Sequence, residues 1–165
     1  MARLPFSPVS IEPSQLGWYD LKSFYILPHF TYIFLGFYVL DPTTPKQLIL
    51  GPFHGKVACQ TISFSRGVCG AAARLAATQL IDDVEKFPGH IACDSDSRSE
   101  IVVPIFITGK EEGHGRVVAI IDVDCVLTSG FDEIDKKWLK KLGELVGRAC
   151  DWPKVDWSVD EKGQS

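Results

Sequence analysis

GPFHGKVACQTISFSRGVCGAAARLAATQLIDDVEKFPGHIACDSDSRSEIVVP, residues Gly51–Pro104, holds three of the chain's five cysteines, each in a different setting. Val57–Ile62 reads as a short strand in which Cys59 shares a face with Val57 and Thr61 by the period of two. Ser65-Arg66-Gly67 breaks that strand. Val68–Thr78, built on AAARLAA, then reads as a helix that Cys69 enters at its start, and the helix ends before the apolar segment Gln79–Ile81. Asp82–Ser99 is a long loop carrying Cys93. Loops of that length inside a small domain are usually functional or disordered, and the embedded Ile91-Ala92-Cys93 argues against disorder. A purely structural thiol needs no such settings.

Strands flank this stretch on both sides. Thr31–Leu40 is rich in aromatic and β-branched residues, Asp41-Pro42-Thr43-Thr44-Pro45 turns the chain, and Gln47–Phe53 returns as a hairpin partner. Downstream, Glu100–Thr108 and Arg116–Asp124 are the clearest strands, joined by the turn 109–115 and expected as the central hairpin of the sheet. Phe131–Cys150 is an amphipathic helix whose apolar positions Ile134, Trp138, Leu142, Leu145, Val146 and Ala149 recur at three and four. The expected organisation is an irregular segment over 1–30, one domain over 31–152 and a polar tail over 153–165. Its class is α+β: an antiparallel sheet of about six strands with helices packed on it, the layout of a GAF or PAS domain.

Composition narrows the function. The chain has 165 residues, 45% of them hydrophobic and 23% charged, which suits one globular domain with a real core. A net charge of −4 without runs of Lys or Arg disfavours nucleic acid and anionic membranes as partners. The uncharged run Phe24–Leu40 is broken by Pro28 and His29, so no membrane-spanning helix is expected. An odd cysteine count and no secretory leader pattern favour the reducing cytoplasm, where cysteines are usually catalytic, redox-sensing or metal-binding.

The helix start near Cys69, with Arg66 three residues away, would stabilise a thiolate near neutral pH. Cys93 has His90 and Arg98 nearby in a polar loop. Either could be the nucleophile. Cys125 and Cys150 are expected as packing residues. Asp122 and Asp124 point to one face of their strand, beside the strand that begins at Glu100. Carboxylates that close raise one another's pKa, so one could serve as a general acid. Cys59, Cys69, His90 and Cys93 are soft donors, but no C-x-x-C or H-x-x-x-H spacing supports a metal, and none is expected.

The blocks GPFHGKVAC, RGVCGAAA, QLIDDV, FPGHIACD and SRSEIVVP, continuing through IIDVD and the last helix, closely resemble the free methionine-R-sulfoxide reductases, which are GAF-fold enzymes. The resemblance covers nearly everything from Phe34 to Trp152. It implies that Cys59, Cys69 and Cys93 match the family's three cysteines, and that Glu100, Asp122 and Asp124 hold the substrate. Phe34 stands where a Trp usually walls the substrate methyl group, with Tyr38 ending the same motif. The N-terminal segment and Ser63 and Ser65 also depart from the family pattern. The implied substrate is free methionine sulfoxide rather than the protein-bound form. The implied reductant is thioredoxin, supplied by NADPH through thioredoxin reductase, with no bound cofactor; a homodimer is left open. On this reading Cys93 attacks, Cys59 resolves, Cys69 relays or shares that role, and Glu100 is the acid. The competing class is a GAF module that senses a small ligand or redox state without catalysis.

Overall fold

The computed structural model describes residues 32–44, 46–56, 58–89, 95–107 and 116–152. The segment 1–30, Cys93 with its neighbours 90–94, the turn 109–115 and the tail 153–165, all assigned from sequence, lie outside the described residues. Six strands form one antiparallel sheet: β1 (Tyr32–Leu40), β2 (Gln47–Gly55), β3 (Thr61–Ser63), β4 (Gln79–Ile81), β5 (Ser99–Ile107) and β6 (Arg116–Cys125), ordered β3-β2-β1-β6-β5-β4. Helix α1 (Gly67–Leu75) and helix α2 (Glu133–Ala149) pack on it. This is the expected α+β layout. No helix among the described residues is long and apolar enough to cross a membrane.

The β1–β2 hairpin closes on a side-chain cap. Asp41 Oδ1 accepts from the Thr43 amide and hydroxyl at 2.8 and 2.7 Å, and the Asp41 amide donates to the Gln47 carbonyl at 2.9 Å. Past the turn the β1–β2 register shifts between Gly36 and Tyr38, opposite the stretch of β2 that contains Pro52. A proline has no amide to give the ladder, and a bulge is where the sheet tolerates one.

Four features differ from the reading of the sequence. The centre of the sheet is β1 beside β6, with β5 one place out. The strand expected over Val57–Ile62 is only Thr61–Ser63, because β2 offers it just Gln47, Leu48 and Ile49 as partners; Cys59 therefore lies in the connection and not on a strand face. Gln79–Ile81, unassigned from its sequence, pairs with Glu100–Val102 as the edge strand β4. Helix α1 stops early as well, since Ala76 adopts a left-handed cap with φ 50°.

Alternation along the central strands gives the sheet two buried faces. One carries Phe34, Tyr38, Val102 and Ile120 against Val68, Cys69 and Ala72 of α1. The other carries Ile101, Val103, Ile105, Ile121 and Val123, with Leu139 and Val146 of α2 packed on them. Helix α2 starts from a capping box in which Asp132 accepts from the Ile134 and Asp135 amides, at 2.7 and 3.0 Å, and Asp135 answers the Asp132 amide at 2.9 Å. Its contact with the sheet overturns the simple amphipathic reading. Gly143 and Gly147 are its buried residues, whereas Ile134 and Trp138 are 65% and 60% exposed, with Leu142 and Leu145 exposed beside them.

Candidate active site

The α1 face of the sheet gathers the acids. Glu100 on β5 is level with Asp124 on β6, and Asp124 is level with Phe34 on β1. Two residues along, Val102, Asp122 and Gly36 form the next row. Paired residues and residues two apart share a face, so all three carboxylates stand on the side that α1 covers. Alpha-helix α1 lowers Cys69 onto them. Its Sγ donates to Glu100 Oε1 at 3.5 Å, and the donor atoms of Cys69, Glu100 and Asp122 all lie within 4.8 Å of one another.

These groups are out of water: Cys69 and Glu100 are 6% exposed and Asp122 5%. Asp122 Oδ1 has no hydrogen-bond partner. The ion pairs among the described residues lie elsewhere, at Lys56–Asp96, Lys86–Asp83, Arg98–Glu85 and Lys136–Glu133. Buried carboxyls as close as Glu100 and Asp122 are costly unless they hold protons or receive a cation. Burial first, and then the Asp122 and Asp124 charges, push the Glu100 carboxyl well above the usual carboxylate range. Asp122 is pushed up by burial and by Asp124. The Cys69 thiol is raised by burial and then by the charges of Asp122 and Glu100. That direction corrects the helix-start argument for an accessible thiolate. The carboxylates face the sulfur at close range, while Arg66, expected to help, is exposed.

An aromatic wall borders the acids. Phe34 stacks on Phe53 with centroids 5.8 Å apart, and Tyr38 lies 6.2 Å from Phe34 on its other flank. A Cβ at Gly36 would meet the Phe34 ring at 2.4 Å, so the ring occupies the space that this glycine leaves. Burial, ahead of the Asp122 charge, raises the Tyr38 hydroxyl's pKa, and the group stays neutral. Sequence reasoning missed Phe53, whose place beside Phe34 follows only from the β1–β2 register. It also missed Ser97, a buried hydroxyl that donates to Asp124 Oδ1 at 2.6 Å.

The remaining cysteines divide by state. Cys59 is disulfide-bonded, while Cys69, Cys125 and Cys150 are free thiols. Cys125 is fully buried and accepts from the Leu127 amide at 3.4 Å. Cys150 is exposed at the C-cap of α2, contrary to its expected packing role. On the far side of the undescribed 90–94 stretch, Asp96 forms an ion pair with Lys56, three residues before Cys59. Arg98, expected beside Cys93, has its guanidinium on the Ser95 and Ser97 carbonyls at 3.1 and 3.2 Å and near Glu85. Cys69, Glu100 and Asp122 are the described donors close enough to share one small cation, metal or ammonium.

Comparison with known proteins agrees with this fold. Residues 26–151 match the GAF domain family. Free methionine-R-sulfoxide reductase of Saccharomyces cerevisiae is 46% identical over 137 residues, covering 83% of this chain and 71% of the relative. The protein of the same name from Escherichia coli is 41% identical over 107 residues, 65% of this chain and 59% of the relative. A crystal structure of free methionine-R-sulfoxide reductase from Neisseria meningitidis in complex with its substrate superposes with a TM-score of 0.65 at 40% identity, covering 72% of this chain and 67% of the other. With a GAF fold spanning most of its length and this likeness in sequence, the chain belongs to the GAF-domain family of free methionine-R-sulfoxide reductases.

Proposed function

We propose that the protein reduces free L-methionine-(R)-S-oxide to L-methionine, using its own thiols and then thioredoxin. The observation that carries this reading is the buried Cys69–Glu100–Asp122 cluster, in which Asp122 Oδ1 lacks a partner. A free amino acid supplies what the cluster lacks, because its ammonium can pair with the carboxylates. The Phe34–Phe53 wall beside them suits the apolar methyl group. The similar proteins from yeast and Escherichia coli bear the name of this activity.

The chemistry balances as follows. The Cys93 thiolate attacks the sulfoxide sulfur while Glu100 gives its proton to the sulfoxide oxygen, forming an S–S-bonded adduct; the hydroxyl then passes from the methionine sulfur to Cys93 Sγ as the S–S bond breaks, so that methionine leaves and Cys93 becomes a sulfenic acid. The Cys59 thiol then displaces that hydroxyl as water, forming a Cys59–Cys93 disulfide. Two electrons from the thioredoxin dithiol reopen it, and NADPH restores thioredoxin through its reductase. A disulfide-bonded Cys59 supports its role as the resolving thiol. Cys69 donates to Glu100 and relays between the other two thiols. Asp122 and Asp124 bind the ammonium, with Tyr38 closing the pocket floor. Preference for the R epimer follows the relatives, and a thioredoxin step suits the reducing cytoplasm.

NADPH consumption coupled through thioredoxin and its reductase, with free methionine-R-sulfoxide as substrate, is the direct test. Turnover is expected, and Cys93→Ser abolishes it. A wild-type protein that forms its disulfide but consumes no NADPH on adding sulfoxide would instead be a redox-sensing GAF module.

A further inference from the structure

We propose that Ser97 is a positioning residue that holds the Asp124 carboxylate in place for recognition of the substrate's ammonium. This rests on the reading of the acidic pocket as an amine site. Ser97 is 4% exposed, and its Oγ donates to Asp124 Oδ1 at 2.6 Å. Asp124 is half-buried, whereas Glu100 and Asp122 are buried. A carboxylate with water in reach can turn toward it. A buried hydroxyl on one of its oxygens holds it against that pull, and a hydrogen bond to an ionised group is among the stronger kinds.

The donor itself is held. Ser97 begins a run of three consecutive residues that each grip the end of β6. Next in line, the Arg98 amide donates to the Cys125 carbonyl at 2.8 Å. Ser99 Oγ donates to the Leu127 carbonyl at 2.6 Å and accepts from the Gly130 amide at 3.1 Å. The run begins four residues after Cys93 and ends next to Glu100, so the same backbone links the proposed nucleophile, the acid and the ammonium site. Ser97 also works indirectly. The Asp124 charge it steadies is among the causes that raise the Glu100 and Asp122 carboxyls.

The test compares wild type with Ser97→Ala, which removes the donor, Ser97→Cys, which keeps the volume with a weak donor, and Ser97→Thr, which restores the hydroxyl. With free methionine-R-sulfoxide, kcat/KM should fall roughly tenfold or more in the Ala and Cys variants, chiefly through KM, the scale of a hydrogen bond to a charged group. With the N-acetylated sulfoxide, which has no ammonium, the fall should be much smaller, and Thr should recover most of the loss. Equal losses on both substrates, or no recovery with Thr, would reduce Ser97 to a structural role and overturn the proposal. A second arm does not depend on turnover: the Asp124 side-chain carboxyl, followed by carbon NMR, should titrate at higher pH in Ser97→Ala than in wild type. An unchanged midpoint overturns the grip on Asp124. Absence of sulfoxide reduction by wild type, with the midpoint shifted, would instead count against the reductase reading alone.

Discussion

Cys69 Sγ donates to Glu100 Oε1 at 3.5 Å, tying the first turn of α1 to the first residues of β5 in a place from which water is excluded. The pair is a thiol and a carboxyl whose affinities for protons are both raised, so each is protonated where its free counterpart would be more acidic. A thiol in that state is a proton donor and not the group that first attacks the substrate.

Alkylation of the reduced protein by iodoacetamide at neutral pH should therefore spare Cys69. Exposed Cys150 should react first, and Cys69 only when the pH passes well beyond the ordinary thiol range or the protein unfolds. Peptide mapping that finds Cys69 labelled as fast as Cys150 near pH 7 would remove the raised thiol from the argument.

Asp122 carries a stability penalty with a definite pH signature. Its folded-state pKa lies above its unfolded value, so the folded form binds more protons across that interval and stability falls as pH rises through it. Below about pH 4, where unfolded aspartate is also protonated, the penalty disappears. Asp122→Asn should thus unfold at higher temperature than wild type at pH 7–8, by on the order of 1–3 kcal/mol, the cost of a buried polar group without a partner. The two proteins should converge in acid, and the variant should lose turnover because the ammonium loses a counter-charge. Thermal unfolding at pH 4, 6 and 8 decides it: a variant less stable than wild type at pH 8, or a gap independent of pH, contradicts the assignment.

The acids were legible in sequence and their burial was not. A period of two puts Asp122 and Asp124 on one face of any strand, and Glu100 begins the neighbouring one, but only the packing of α1 decides that this face is dry. Ser97 was invisible, since its value comes from a contact with Asp124 across 27 residues of chain. The misreading of α2 has the same origin. Periodicity finds the apolar stripe of a helix, here Ile134, Trp138 and Leu142, yet α2 meets the sheet through Leu139, Val146 and two glycines, and the glycines carry no hydrophobic signal.

Those two glycines should respond oppositely to alanine. At Gly143 a Cβ meets Val103 Cγ1 at 3.6 Å, an ordinary contact, so Gly143→Ala should be neutral or stabilising by up to about 1 kcal/mol from helix propensity. At Gly147 the Cβ would lie 2.3 Å from the Phe106 carbonyl oxygen, which belongs to the backbone of β5 and cannot swing away. Gly147→Ala should cost about 1–3 kcal/mol, the usual scale of overpacking. Urea unfolding of both variants checks the contrast; equal effects would mean that α2 does not approach β5 through Gly147.

Selectivity for the free amino acid follows from the acidic character of the site, where none of the ion pairs among the described residues involves Glu100 or Asp122. In free methionine sulfoxide the nitrogen is an ammonium and can pair with these carboxylates, whereas in a peptide it is a neutral amide with one hydrogen to give. Binding the amide form leaves the acidic cluster as it stands, with Asp122 Oδ1 still unpartnered. It also adds an acyl group that must fit beside the Phe34 wall. An uncompensated buried charge costs several kcal/mol, and sites built around a specific polar partner reject analogues that lack it strongly. N-acetylation should therefore lower kcat/KM by roughly a hundredfold or more. The comparison uses free methionine-R-sulfoxide, its S epimer and the N-acetylated R compound under one thioredoxin recycling system. Equal rates for the free and acetylated R-sulfoxides would show that the carboxylates do not read the amine, even if the cysteines perform the reduction as proposed.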